Sequence, residues 1–163
     1  MDTKDNDLLF LLEKDCTIPL HELAAMLQCS EEEVASRRAI LEKEKIIRGY
    51  TALIDWDRAK NPSVMAIVEL RITPEHEYGY DRIAERIARF SNVKNLRLQS
   101  GTYDLQLLVQ GKTMHDVASF VSEHIASMDR IKETATHIIM KTYKENGVLY
   151  YERDDGKRLP FSF

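Results

Sequence analysis

The chain has 163 residues, of which 44% are apolar and 31% charged, and its net charge is −4. This composition is typical of a folded, water-soluble protein. No stretch approaches the roughly 18 apolar residues that a spanning helix needs, so we expect no membrane segment. The segment MDTKDNDLLF has acids where a secretory signal would be basic. Two cysteines without CxxC spacing indicate reduced thiols, which favours a cytoplasmic protein.

Charge is distributed unevenly along the chain. Residues 1–50 contain seven lysines and arginines against eleven acids, whereas residues 51–163 contain sixteen of each. The first third therefore carries all the excess acid, which composition alone would count against contact with a polyanion.

Three short helices are predicted between Asp7 and about Lys45, where apolar residues recur at helical spacing. The first ends near Asp15, and Pro19 suits the first turn of the second, where its missing N–H costs nothing. Ser30, with Glu33 three residues later, predicts a capping box at the start of the third. A tight break between the second and third helices is typical of a helix-turn-helix.

A two-stranded wing is predicted next, over KIIRGYTALIDW (45–56), from Ile46, Ile47, a turn at Gly49 and alternation after it. The polar, proline-containing stretch that follows marks a boundary. We therefore assign a winged helix-turn-helix domain to residues 1–55 and a linker to residues 56–62.

The second half alternates strands and helices. Strands are predicted at 63–72, 93–100, 104–111 and 130–143, with helices at 80–90 and 114–128. The order βαββαβ predicts a ferredoxin-like domain over residues 63–143, so the fold class is α+β. Residues 144–163 form a tail that either packs on a partner or stays free, with YERDDGKR (151–158) interpreted as solvated.

The third helix is the candidate DNA reader, because that helix usually enters the major groove in this layout. Its first turn, Glu31–Glu33, suits the helix dipole but opposes phosphate. The alternative is a helical interaction module whose arginines pair with neighbouring glutamates. The candidate DNA-binding residues are Ser30, Ser36, Arg37, Arg38, Lys43, Lys45 and Arg48.

The stretch LQSGTYDLQLLVQG (98–111) interrupts a strand pattern at Gly101–Asp104. A hairpin turn explains the glycine, which adopts positive φ freely. It explains Asp104 less well, because a carboxylate at a strand entrance must be solvated or paired. A ligand loop uses both: backbone N–H groups of Gly101 and Thr102 would meet a carboxylate, and Asp104 would accept from an ammonium group.

The chain resembles the Lrp/AsnC family of transcription regulators from about residue 5 to residue 143. The matching stretches are LHELAAMLQCSEEEV (20–34), LEKEKIIRGYTALIDWDR (41–58) and SGTYDLQLLVQG (100–111), the last resembling that family's Gly-x-x-Asp effector loop. In the family an apolar residue usually follows the arginine of the third helix, whereas this chain has Arg38.

The resemblance implies a head that binds double-stranded DNA and a regulatory domain that dimerises through its sheet. It also implies further assembly, often to octamers, and an amino acid or related effector held where dimers meet. The implied effector residues are Ser100, Gly101, Thr102, Tyr103 and Asp104, with hydroxyls from Thr136, and from Thr134, of a neighbouring subunit.

No catalytic set, cofactor motif or metal-ligand spacing is predicted, and the five histidines are interpreted as structural or surface residues. The leading hypothesis is a sequence-specific transcription regulator tuned by a small metabolite. The alternative is an oligomeric metabolite-sensing protein that has lost DNA binding and contacts another protein. A ferredoxin-like enzyme is the third hypothesis, and no residue pattern supports it.

Overall fold

The computed structural model describes residues 1–150 and divides into two compact units, Met1–Leu53 and a second that begins at Ile54. The first unit consists of α1 (Thr3–Lys14), α2 (Leu20–Leu27) and α3 (Glu31–Lys43). Its core is built from the apolar positions that recur at helical spacing: Leu8, Leu12, Leu23, Ala24, Leu27, Val34 and Leu41. The predicted helix-turn-helix is confirmed.

Gln28 makes the tight break between α2 and α3. Its backbone is left-handed, with φ of 51°, and its N–H donates to the carbonyls of Ala24 and Ala25. This ends α2 at Leu27 and leaves room for Ser30 to cap α3.

The predicted two-stranded wing is wrong for the chain described here, because residues 44–63 contain no strand. Lys45 adopts φ of 58°, and the N–H groups of Ile46 and Ile47 both donate to the carbonyl of Leu41. The chain therefore folds back over the end of α3, and Ile47 packs against the core. The residues that follow, such as Tyr50 and Leu53, pair with no strand among residues 1–150.

The second unit has the predicted βαββαβ order. It contains β1 (Val64–Ile72), α4 (Asp81–Ala88), β2 (Val93–Leu98), β3 (Leu105–Gly111), α5 (Met114–Phe120) and β4 (Ile131–Ile138). The four strands form an antiparallel sheet in the order β2-β3-β1-β4, which confirms the predicted α+β architecture.

One face of this sheet packs on the helices, because alternate strand residues point to the same side. Buried residues of β1 and β3 meet Ile83 and Ile87 of α4 and Val117 of α5: Ala66, Val68, Leu70, Ile72, Leu105, Leu107 and Val109. α5 continues into a wider π-helical turn, Val121–Ile125, in which the Ala126 N–H donates to the Val121 carbonyl. Ile125 is fully buried there.

Part of the tail has regular structure. β5 (Lys144–Glu145) and β6 (Val148–Leu149) form a small hairpin whose turn residues, Asn146 and Gly147, both have positive φ. An Asn-Gly pair is the usual sequence for such a tight turn. The remainder, including the stretch 151–158 interpreted as solvated, lies outside the described residues.

Candidate functional site

The exposed side of α3 carries several small side chains, together with the larger Glu32 and Ile40. At 100° per residue, the buried residues Val34 and Leu41 define the inner side of the helix. Ala35, Ser36 and Ala39 lie on the opposite side and are exposed, with Lys43 one turn further on. Short side chains allow the helix backbone to approach another surface closely, as entry into a DNA groove requires.

Arg37 does not share that exposed side. Its guanidinium is bound by three carboxylates: Nη1 lies 2.8 Å from both Asp2 and Asp5, and Nη2 lies 2.8 Å from Glu33. The Arg37 side chain is only 22% exposed. These three carboxylates hold the pKa of Arg37 above its ordinary value. The structure therefore gives Arg37 partners within the first unit.

Ser30 and Glu33 form only half of the predicted capping box. The Ser30 hydroxyl accepts from the Glu33 N–H at 3.1 Å, as a helix cap does. The Glu33 carboxylate does not return to Ser30, because it binds Arg37 and lies 3.6 Å from Lys4. Its hydrogen bond from Arg37, above all, lowers the pKa of Glu33.

Arg38 packs beside Tyr50. Its Nε donates to the Tyr50 hydroxyl at 2.9 Å and to Glu42 at 3.1 Å, and the guanidinium lies 4.7 Å from the ring centre. The Tyr50 hydroxyl donates to Glu42 as well. Where the family usually has an apolar residue, this chain thus has an arginine stabilised by a ring and a carboxylate. Sequence reasoning missed Tyr50, although the stretch IIRGY places it twelve residues after Arg38.

Three cations of the first unit have no ionic or ring partner among residues 1–150. They are Lys43, Lys45 and Arg48, at the end of α3 and just beyond it. Lys4 pairs with Glu33, and Lys14 lies over the Phe10 ring. The unpaired cations of this unit are therefore concentrated within residues 43–48, where Glu44 is the one acid and the net charge is positive.

The loop Ser100–Tyr103 carries backbone donors without acceptors. Gly101 has φ of 134° and is exposed, and a Cβ added there would meet nothing within 4 Å. The N–H groups of residues 100–103 have no acceptor within the described chain, whereas the flanking Gln99 N–H donates to the Asp104 carbonyl. Four consecutive free donors can bind an anion.

Both carboxylate oxygens of Asp104 accept hydrogen bonds from within the second unit. One carboxylate oxygen accepts from the Ile72 N–H at 2.7 Å, and the other accepts from the Tyr80 hydroxyl at 3.1 Å. The second bond raises the pKa of Tyr80. Asp104 thus ties the end of β1 to the residue before α4, and this pairing across the sequence was not predicted.

Two side chains from the neighbouring strands, Arg71 and Glu133, border the loop. Arg71 donates to the Thr102 carbonyl at 3.2 Å and lies 3.1 Å from Glu133. The Tyr103 hydroxyl donates to Glu133 at 3.2 Å. Arg71 and Glu133 are paired across β1 and β4, and sequence reasoning missed both. The alternating pattern of the sequence shows which face of its strand each residue occupies, but it does not show the register that places Arg71 opposite Glu133.

Thr136 lies away from the loop within one chain. It pairs with Val68 and, with Thr134, lines an apolar cleft of about 260 Å³ beside α5. The loop and the two threonines are therefore not brought together within this chain. Among residues 1–150, no group of three or more metal-ligating side chains is found, and no helix is long and apolar enough to cross a bilayer.

Comparison with known proteins identifies both units. Residues 1–42 match the AsnC-type helix-turn-helix domain, and residues 65–149 match the Lrp/AsnC ligand binding domain. The chain belongs to the Lrp/AsnC family. This confirms the resemblance seen in the sequence. It also makes the chain a DNA-binding transcription regulator with a ligand-binding domain.

Named relatives of this Lrp/AsnC protein are regulators rather than enzymes. The "Uncharacterized HTH-type transcriptional regulator YugG" of Bacillus subtilis is 38% identical over 160 residues, covering 98% of this chain and 96% of that protein. The "HTH-type transcriptional regulator LrpA" of Pyrococcus abyssi is 30% identical over 144 residues, covering 88% and 99%.

Solved structures share the fold. The Mycobacterium tuberculosis leucine response regulatory protein superposes with a TM-score of 0.74 at 23% identity, covering 90% of this chain and 97% of that one. The Neisseria meningitidis transcriptional regulator NMB0573, solved as a complex with L-Met, gives 0.68 at 19% identity, covering 89% and 93%.

Proposed function

We propose that this Lrp/AsnC regulator binds specific DNA sites through α3 and responds to an amino acid held at the loop Ser100–Tyr103. It acts in the cytoplasm as a homodimer that assembles further. The observation that carries the effector proposal is the run of four free backbone donors beside Arg71.

The DNA contacts divide by chemistry. Ser36 and the small residues beside it face outward on α3, so they suit close approach to base edges. Lys43, Lys45 and Arg48 are exposed and uncompensated, so they suit phosphates. Arg38 stays a candidate through the part of its guanidinium that Glu42 and Tyr50 do not occupy, and Ser30 through its place at the start of the helix.

The effector is an amino acid because the loop region offers both kinds of partner that a zwitterion needs. Free N–H groups at Gly101 and Thr102 suit its carboxylate, while the Glu133 carboxylate suits its ammonium group. Asp104, the residue after the loop, is held in place by its hydrogen bonds from the Ile72 N–H and the Tyr80 hydroxyl, and so fixes the end of the loop. The complex of the related fold NMB0573 with L-Met supports this class of ligand.

Assembly would use the sheet face that carries no helix. There Met65, Ile67 and Leu108 alternate with the buried core residues of β1 and β3 and are half-buried. The same face carries Glu69, Gln106 and Gln110, so a second copy would cover an apolar patch that lies among polar side chains. Removing that patch from water would stabilise the assembly. A dimer also presents two heads, which lets each contribute a modest affinity to one DNA molecule.

Fluorescence anisotropy would test the proposal. The purified protein is titrated into labelled DNA from upstream of its own gene, at low and moderate salt, with unrelated DNA as the control. We expect saturable binding that survives moderate salt and prefers the upstream DNA. The twenty amino acids are then added one at a time, and we expect at least one to shift the titration midpoint. No binding at low salt would contradict DNA regulation.

Gly101→Ala tests the loop, with Gly79→Ala as its matched control. Both glycines have positive φ, and an added Cβ meets nothing within 4 Å at either position, so neither substitution causes a clash. The backbone strain is greater at Gly101, with φ of 134°, than at Gly79, with φ of 56°, because residues with a Cβ can enter the left-handed region near 56°. We expect Gly101→Ala to weaken the amino-acid response about tenfold or more, since its backbone donors move. Equal amino-acid responses in the two variants would indicate that residues 101–104 form only a structural turn and do not bind the effector.

A further inference from the structure

Arg37 binds the first turns of two helices at once. Its Nε donates to Glu33 at 2.9 Å, and Nη1 donates to Asp2 and Asp5, each at 2.8 Å. Nη2 also lies 2.8 Å from Glu33. An arginine has five N–H donors, so these contacts occupy four of them.

We propose that Arg37 is a positioning residue, which fixes α3 against α1 so that the exposed side of α3 meets DNA at the right angle, and that Arg37 does not itself contact DNA. The inference rests on the proposed DNA-binding role of α3. In this proposal the first turn of α1 affects DNA recognition indirectly, because it holds Arg37 and through it the orientation of α3.

The contacts form one linked set. Asp2 and Asp5 cap α1 by reciprocal hydrogen bonds of 2.9 Å, each from the backbone N–H of one to the carboxylate of the other. Glu33 belongs to the first turn of α3. Arg37 thus joins the capping carboxylates of α1 to the first turn of α3. Asp5 is the most enclosed of the three acids, with its side chain 16% exposed.

Local charge opposes a phosphate contact at Arg37. Three carboxylates surround it, and Lys4 is the one other cation paired within this group in the described chain. A phosphate would therefore meet a net negative cluster in which four of the five Arg37 N–H donors are already occupied and Lys4 is paired with Glu33. By helical geometry, Arg37 also lies about 100° around the helix from Ser36, on the side toward α1.

The two roles predict opposite results for a loss of negative charge. If Arg37 contacts phosphate, Asp5→Asn frees the guanidinium and removes repulsion, so DNA affinity rises. If Arg37 positions α3, Asp5→Asn weakens the clamp, so specific affinity falls. We expect Asp5→Asn and Glu33→Gln each to lower affinity for the specific DNA about fivefold, the scale of coupling in an ion-pair network.

The test measures affinity for upstream DNA across a salt series by fluorescence anisotropy. For Arg37→Gln we expect a loss about as large as for Asp5→Asn, with an unchanged slope of log affinity against log salt. For Lys43→Gln, the phosphate-contact control, we expect the slope to shrink by about 0.9. The double variant Arg37→Gln/Asp5→Asn should bind no worse than either single variant.

Tighter binding by Asp5→Asn, or a slope reduced by about 0.9 in Arg37→Gln, would overturn the inference. Hydrogen exchange at α1 in the same variants reports the clamp without DNA. Faster exchange in Arg37→Gln and Asp5→Asn, but not in Lys43→Gln, is expected even if the wild type binds no upstream DNA. Exchange unchanged in all three variants would contradict the clamp itself, and a wild type that binds no DNA would contradict only the proposed function.

Discussion

Asp104 joins two elements that are separated by a long stretch of chain. Its carboxylate accepts from the Ile72 N–H at the end of β1 and from the Tyr80 hydroxyl just before α4. A half-buried N–H that loses its acceptor costs more than the bond itself contributes, because it was taken out of water for that bond. Asp104 therefore has a structural role in the second unit whether or not a ligand is bound.

Asp104→Ala is therefore expected to destabilise the second unit by about 1–3 kcal/mol, because the Ile72 N–H loses its acceptor. Tyr80→Phe removes only the longer bond, of 3.1 Å, and leaves the Ile72 N–H paired, so it should cost less. Urea unfolding followed by the fluorescence of Trp56, the single tryptophan and a residue of this unit, measures both changes. Equal stability of Asp104→Ala and the wild type would show that water replaces the carboxylate at no cost.

Two of the residues with a left-handed backbone, Gln28 and Lys45, follow the ends of α2 and α3. Gln28 ends α2 in a left-handed conformation, which costs a residue with a Cβ roughly 1–2 kcal/mol. Gln28→Gly is expected to stabilise the first unit by up to about 1 kcal/mol, offset in part by the freedom that glycine gains when unfolded. Thermal unfolding followed by circular dichroism measures the change, with Gln28→Ala as the control that should give no such gain.

Acid should loosen the contact between α1 and α3. The pKa of Asp5 is lowered by the backbone N–H of Asp2 and then by Arg37, and the pKa of Asp2 is lowered by the Asp5 N–H and then by Arg37. A pKa that is lower in the folded state stabilises the fold above the unfolded value, and this stabilisation is lost as the pH falls through the folded value. The loss is therefore expected below about pH 4.

Thermal melts between about pH 6 and about pH 3 would show this loss. Arg37→Gln should be less stable than the wild type at the upper pH and closer to it at the lower pH. Without Arg37, protonation of Asp2 and Asp5 removes less stabilising interaction from the variant than from the wild type. A constant difference between the two proteins across that range would contradict the coupling.

Across the whole molecule, excess acid lies in the unit that binds DNA. Part of it serves the fold: Glu33 holds Arg37, and Glu42 holds Arg38. Glu31 and Glu32 have no cationic partner in the described residues, and they stabilise the start of α3 through its dipole. They also repel phosphate, so they reduce affinity for DNA of any sequence.

Glu31→Gln/Glu32→Gln is therefore expected to tighten binding to unrelated DNA more than binding to the specific site, and to lower the stability of α3 by about 0.3–1 kcal/mol for each charge. Anisotropy with both DNAs measures the effect. The control, Glu13→Gln/Glu22→Gln, makes the same change in net charge outside α3. Equal tightening in the two double variants would mean that total charge matters and position does not.

Periodicity predicted most of this fold because burial imposes it on the sequence. The spacing of Val34 and Leu41, or the alternation along Val64–Ile72, follows from having one buried side. The wing was mispredicted because alternation alone does not supply a partner strand. The contacts of Arg37 with Asp5 and of Asp104 with Ile72 cross more than thirty residues, and no local pattern encodes them.

The π-helical turn at Val121–Ile125 makes one place in the second unit tolerant of a shorter chain. Removing a residue from an ordinary helix rotates everything beyond it by 100° and takes apolar residues off the core. Removing Ser122, which is exposed, would instead let the wide turn close to an ordinary one. Val121 and Ile125 would then be three residues apart and still share a face. Related chains that are one residue shorter can therefore keep this core, provided that the deletion falls within this turn.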